Sequence, residues 1–208
     1  MSTILALSDV ELPYIYQAAS NGVFKDIDFV ISCGDLSSEY LGNIISMLNK
    51  DLYYVRGNHA QYQTRDDQAN SQEHWGGIDL HTRSQHTPGG IILAGIEGSL
   101  NYNDGPQQYS QSQMWTMVYR LVPKLFMNYV RSNRFLDIFV THAPPWKIND
   151  QADLPHQGIK AFRWVIEVFR PRLHLHGHVR DYLGERNPSV DFAGARVINV
   201  TGYQVINL

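Results

Sequence analysis

The side chains able to bind metal or move protons gather in five short clusters, each directly after an apolar run. Residues 3–7 (TILAL) lead to Ser8-Asp9-Val10-Glu11, and residues 28–32 (DFVIS) lead to Cys33-Gly34-Asp35. LYYV, beginning at Leu52, leads to Arg56-Gly57-Asn58-His59, and residues 137–141 (DIFVT) lead to His142-Ala143-Pro144-Pro145. Residues 173–175 lead to His176-Gly177-His178, within a stretch that reads HLHGHVR from position 174 to 180. Carboxylate, carboxamide and imidazole offered together suit divalent transition metals. Each cluster alone has a plain structural reading. Gly-Asp is a common turn, Gly-Asn-His a left-handed one, and alternating histidines a half-buried polar face. Their recurrence at five strand ends is hard to obtain from turn chemistry, so the set points to a metal site.

Those ends must reach one rim, and periodicity indicates how. TILAL, DFVIS and LYYV are short and apolar throughout, as strands covered on both faces are. Between them, residues 12–24 are predicted helical, with Pro13 tolerated in the first turn. Ser37 or Ser38 is predicted to cap a helix carrying Leu41, Ile44, Ile45 and Leu48 on one face. Strand–helix–strand–helix–strand predicts a parallel, helix-covered sheet, where ligands bind outside the carboxyl ends of the strands.

Further along, residues 61–83 are polar and predicted to form a long functional loop, and residues 91–94 to form a strand. Ser110 opens a helical region whose Met114, Met117, Val118, Leu121 and Leu125 read as core, with Pro123 expected to kink or split it. Phe162, Val165, Ile166 and Phe169 form a helix face ending before Pro171. RVINV and YQVINL read as a terminal hairpin. With no repeat, low-complexity tract or linker, one domain over residues 1–208 is expected.

Hydrophobic residues make up 43% and charged residues 18%, as in ordinary globular proteins. A net charge of −3 removes the broad attraction that non-specific nucleic-acid binders use, and no basic run lines any cluster. One cysteine, Cys33, excludes an intrachain disulfide and fits a reducing compartment. No signal-peptide pattern and no membrane-length apolar stretch is present, so a cytoplasmic protein is expected.

Taken in order, the clusters resemble those of the calcineurin-like metallophosphoesterases. That family's pattern is Asp-x-His, Gly-Asp, Gly-Asn-His followed by an acidic residue, a later His, and Gly-His-x-His. The likeness runs from Asp9 to His178. It implies an α/β fold, a four-layer α/β/β/α sandwich of two mixed sheets, with one or two divalent ions (Mn, Fe, Zn or Mg) at the strand ends. By resemblance Asp35 would bridge two metals, Asn58, His142 and His178 would complete the second metal's shell, and Asp9 would bind the first. His59 would stand near the leaving group, and the substrate would be a phosphate mono- or diester of a small molecule.

Three positions depart from the pattern. Glu11 replaces the first motif's His, Arg180 the last motif's second His, and Ala60 the acidic residue. In the family, the two imidazoles missing here both serve the first metal. Arg180 cannot ligate, because guanidinium stays protonated and has no lone pair. Either Asp9, Glu11 and Asp35 hold a hard ion with water, or Arg180 takes the first metal's place and pairs with Glu11 and Asp9. The second is favoured, since carboxylate and guanidinium suit each other. Arg180 is also a candidate clamp for a phosphate oxygen. The glycine-rich stretch holding Gly98, Ser99, Asn101 and Tyr102 could lend N–H groups to phosphate, and His156 could meet substrate. His74, His81 and His86 are expected to face solvent. The competing reading is a non-catalytic phosphate- or nucleotide-binding protein on the same fold.

Overall fold

The structure, a computed structural model, describes residues 2–59, 75–180 and 189–208. Ala60, His74 and most of the expected polar loop lie outside the described residues. The first sheet runs β13 (Gly202–Asn207), β1 (Thr3–Ser8), β2 (Phe29–Ser32), β3 (Leu52–Tyr54), β4 (Ile78–Asp79). The second runs β11 (Ser189–Phe192), β12 (Ala195–Asn199), β10 (Leu173–His176), β9 (Ile138–Thr141), β6 (Ile92–Ile96), β5 (Ser84–His86). Strands β7 (Ser99–Leu100) and β8 (Gln108–Tyr109) form a separate small ribbon.

Alternation along the strands assigns the layers. Ile4, Ala6, Phe29, Ile31 and Tyr53 of the first sheet share a buried cluster with Leu93, Ile138, Val140, Leu173 and Leu175 of the second. The opposite face of the first sheet, Leu5, Leu7, Val30 and Leu52, packs on Ile15 and Ala18 of α1 (Tyr14–Ser20) and on Leu41 and Ile44 of α2 (Ser38–Leu48). The outer face of the second, with Ile92, Ala94 and Phe139, packs on α3 (Gln111–Ser132) and α4 (Lys160–Phe169) through Met114, Val118, Leu121, Phe162 and Val165. This is the expected four-layer sandwich. Burial on both faces explains why the central strands read as continuous apolar runs.

Local chemistry sets the helix starts. Ser37 Oγ accepts from Tyr40 N at 3.2 Å to cap α2, and Ser110 with Gln113 forms a capping box for α3. α1 is shorter than expected, beginning just after Pro13. Pro123 does not split α3, which runs unbroken through it. The proline lies on the solvent face, and the carbonyl deprived of its partner belongs to Tyr119, itself 59% exposed and open to water.

The terminal hairpin is corrected. β12 lies parallel to β10, whereas β13 crosses to the other sheet and pairs antiparallel with β1. Two apolar runs separated by Thr-Gly carry no mark of which sheet each joins. Val200 N bonds His176 O at 2.8 Å, carrying the chain past the end of the second sheet before it turns. The hairpin that forms is β11–β12, turned by Ala193 and Gly194 at φ 51° and 86°, the two positive values a tight primed turn requires. Among the described residues no helix is long and apolar enough to cross a membrane.

Candidate metal centre

Parallel pairing brings the carboxyl ends of β1, β2 and β3 to one edge of the first sheet and those of β9 and β10 to one edge of the second. Asp9, Asp35 and His178 each turn off their strands at positive φ, 64°, 57° and 70°. Gly57 allows the closest approach. A Cβ there would overlap the Asp35 carboxylate.

Donor atoms of Asp35, His142 and His178, all buried, lie within 4.8 Å of one another. His142 Nδ1 is 2.8 Å from Cys33 O and His178 Nε2 is 2.7 Å from Pro155 O. A carbonyl only accepts, so those nitrogens carry the protons, and His142 Nε2 and His178 Nδ1 are the inward atoms. They stand 3.1 Å apart, with Asn58 Oδ1 3.0 Å from His142 Nε2. Asp35 Oδ2 is buried without a hydrogen bond, 3.4 Å from both His142 Nε2 and His59 Nε2. Two imidazole nitrogens, a carboxamide oxygen and a carboxylate oxygen thus face one point. Neutral rings would oppose two lone pairs there, so a proton or a metal ion must lie between them, and the donor set fits a divalent ion.

The electrostatics agree. Burial opposes charge on His142, but the Asp35 carboxylate overcomes it and raises the ring to about 9. Burial likewise opposes ionisation of Asp35, yet His142 and His59 beside it hold the carboxyl well below the usual range. Burial, reinforced by charge on His142, pushes His178 down to about 3. Asp9 is buried and pushed upward mainly by that burial, and its Oδ2 accepts from His178 N at 2.9 Å. Asp9 therefore ties the end of β1 to the exit of β10.

The favoured pairing of Arg180 with Glu11 and the Asp9 carboxylate is corrected. Arg180 Nη2 donates to the Asp9 backbone carbonyl at 3.1 Å, and Glu11 Oε1 accepts from Ser37 N and Oγ at 2.9 and 2.5 Å. Glu11 is drawn to the N-terminus of α2, where two donors and the helix dipole outweigh a single guanidinium. Ser99 is fully buried and its hydroxyl donates to Leu100 O. Gly98 N and Ser99 N are committed to Arg56 O and Gln107 O, so neither is offered to phosphate. His156 pairs with Asp153 at 2.6 Å, its ring 5.3 Å from that of His178, at the rim of the site. His59, with its side chain 44% exposed, stands at the mouth. His174 and His176 are buried outside the convergence, one against Thr141 and the other beside Asn149. His86 bonds Asn128 and His81 lies by Glu97, so both have protein partners.

Sequence reasoning missed the carbonyls of Cys33 and Pro155 that set the imidazole tautomers, and the phenol of Tyr102, which accepts from Asn58 Nδ2 at 3.1 Å. A backbone carbonyl leaves no mark in residue type, and Tyr102 reaches Asn58 only through the fold.

Comparison with known proteins follows the same lines. No curated protein matches the sequence. TT1561 of Thermus thermophilus has a similar fold, with TM-score 0.65 and 16% identity, covering 99% of this chain and 98% of its own. An archaeal phosphodiesterase matches at TM-score 0.44 and 15% identity over 99% of both chains, too distant to carry an argument. The pattern described as calcineurin-like phosphoesterase matches residues 2–181. That match spans most of the chain, and the motif order, the two mixed sheets and the clustered Asp and His donors accord with it: the chain belongs to the calcineurin-like phosphoesterase family.

Proposed function

We propose that the protein is a metal-dependent phosphoesterase that hydrolyses a phosphate mono- or diester of a small molecule in the cytoplasm, using one tightly held cation. The observation that carries this reading is the convergence of Asp35 Oδ2, Asn58 Oδ1, His142 Nε2 and His178 Nδ1. Mn, Fe, Zn and Mg are the candidate ions. A divalent ion held there would polarise a phosphoryl oxygen and make a bound water acidic. The chain supplies the rest. His59 Nε2, 3.4 Å from Asp35 Oδ2 and open to solvent, is placed to hand a proton to the departing alcohol oxygen as its bond to phosphorus breaks. Arg180, anchored through one nitrogen to Asp9 O, has further N–H groups to offer a phosphate oxygen. Asp9 positions His178, and His156 borders the substrate's approach.

A second reading, a non-catalytic phosphate- or nucleotide-binding protein, draws on one observation: Glu11, at the position of the missing imidazole, gives Oε1 to Ser37 instead. Hydrolysis of chromogenic mono- and diesters with each metal, compared between wild type, His59→Ala and His178→Ala, separates the two. Turnover lost in both variants supports the enzyme. Equal inertness of all three proteins, with phosphate still bound, supports the binding protein.

A further inference from the structure

The Asn58 carboxamide has two ends, and the second leads out of the metal-ligand set. With Oδ1 facing His142, Nδ2 donates to Tyr102 Oη at 3.1 Å. An amide nitrogen only donates, so the phenol oxygen is the acceptor and its own O–H is directed elsewhere. Among the described residues nothing accepts that proton.

The loop is built to hold the phenol there. Tyr102 N and Asn103 N both donate to Gln108 Oε1, at 3.1 and 3.2 Å, and Gln108 Nε2 returns a bond of 2.7 Å to Asn103 Oδ1. Asn101 and Asp104 exchange two more, at 2.7 and 2.9 Å. Pairing of β7 with β8 closes the base of the loop. Tyr102 as a whole is half-buried.

We propose that Tyr102 is a substrate-positioning residue whose phenol O–H donates to an oxygen of the phosphoryl group bound at the metal centre, an inference that rests on the phosphoesterase reading. The hydroxyl is separated from His142 Nε2 by a 3.1 Å hydrogen bond, the Asn58 amide and a 3.0 Å contact, which puts it within reach of an oxyanion drawn to a cation there. As a neutral donor it can meet that oxyanion without competing with the cation for ligands. A hydrogen bond to a charged oxygen is among the stronger kinds, and pre-bracing by Gln108 means little ordering is needed when it forms.

The test uses the full chain loaded with Mn, with inorganic phosphate as the probe and titration calorimetry as the readout. Tyr102→Phe is expected to weaken phosphate binding about 10-fold while changing metal affinity less than about 3-fold. For a hydrolysed ester, KM should rise more than kcat falls. Gln108→Ala, which keeps the hydroxyl but removes its brace, should weaken phosphate binding by a smaller factor. If Tyr102→Phe binds phosphate as tightly as wild type, the inference is overturned. It is equally overturned if metal and phosphate affinity fall together, because Tyr102 would then act only through Asn58. If metal-loaded wild type binds no phosphate, the phosphoesterase reading itself fails, a result separable from the other two.

Discussion

Asp35→Asn and Glu11→Gln each remove one carboxylate near the strand ends, yet only the first should affect metal binding. Asp35 is 3% exposed, its Oδ2 has no hydrogen bond, and it is the anionic member of the four converging donors. Glu11 already gives Oε1 to Ser37 N and Oγ. At a metal concentration about 100 times Kd, binding should stabilise wild type by about 2.7 kcal/mol. At about 2–4 °C per kcal/mol for a chain of this size, that raises Tm by roughly 5–10 °C. If Asp35→Asn weakens binding about 100-fold, the same concentration equals its Kd and yields only ~0.4 kcal/mol, a shift of about 1 °C. Glu11→Gln should keep the full metal-dependent shift while its baseline Tm falls by about 1–4 °C, from losing ~0.3–1 kcal/mol at the α2 N-terminus. Differential scanning fluorimetry with added Mn reads both, and elemental analysis should find about one tightly held ion per wild-type chain. The reasoning is refuted if Glu11→Gln halves the metal content, or if Asp35→Asn retains the shift.

Acid should destabilise the metal-free protein through histidines that do not face the site. Burial lowers His176 to about 4 and His174 well below its usual 6.5, so the unfolded chain binds more protons as pH falls below 6.5. Stability present above pH 6.5 is therefore lost toward pH 4, with His176 alone contributing about 2 kcal/mol by pH 5. Urea melts at about pH 7.5 and 5.0 would check this, and a His174→Phe variant should show a smaller acid loss. Gly57→Ala, whose new Cβ overlaps the Asp35 carboxylate, should destabilise by about 1–3 kcal/mol and weaken metal binding in the same calorimetric titration. His59→Ala should lower kcat roughly 10²–10⁴-fold with metal affinity little changed, as expected for a proton donor outside the cation's shell.

Much of the frame was legible in the residues. Apolar runs announced the central strands because sheets covered on both sides need hydrophobic side chains on both faces. Ser37 and Ser110 marked helix starts because orphan N–H groups need a local acceptor. The polar residues following the runs marked the rim, and their order carried the family. Pro123 misled because sequence does not show which face of α3 meets water. The last two strands misled because their alternation fits either sheet.

The identities of Asp35, Asn58, His142 and His178 determined that a cation could be held, since donor chemistry belongs to side chains. Tertiary structure alone decided which ring nitrogens face inward, through the carbonyls of Cys33 and Pro155. It also decided that Glu11 serves a helix, that Arg180 grips a backbone carbonyl, and that Tyr102 meets Asn58. The reason is physical. Residue type fixes what an atom can donate or accept, whereas its partner is whichever complementary group the packed chain brings within about 3 Å.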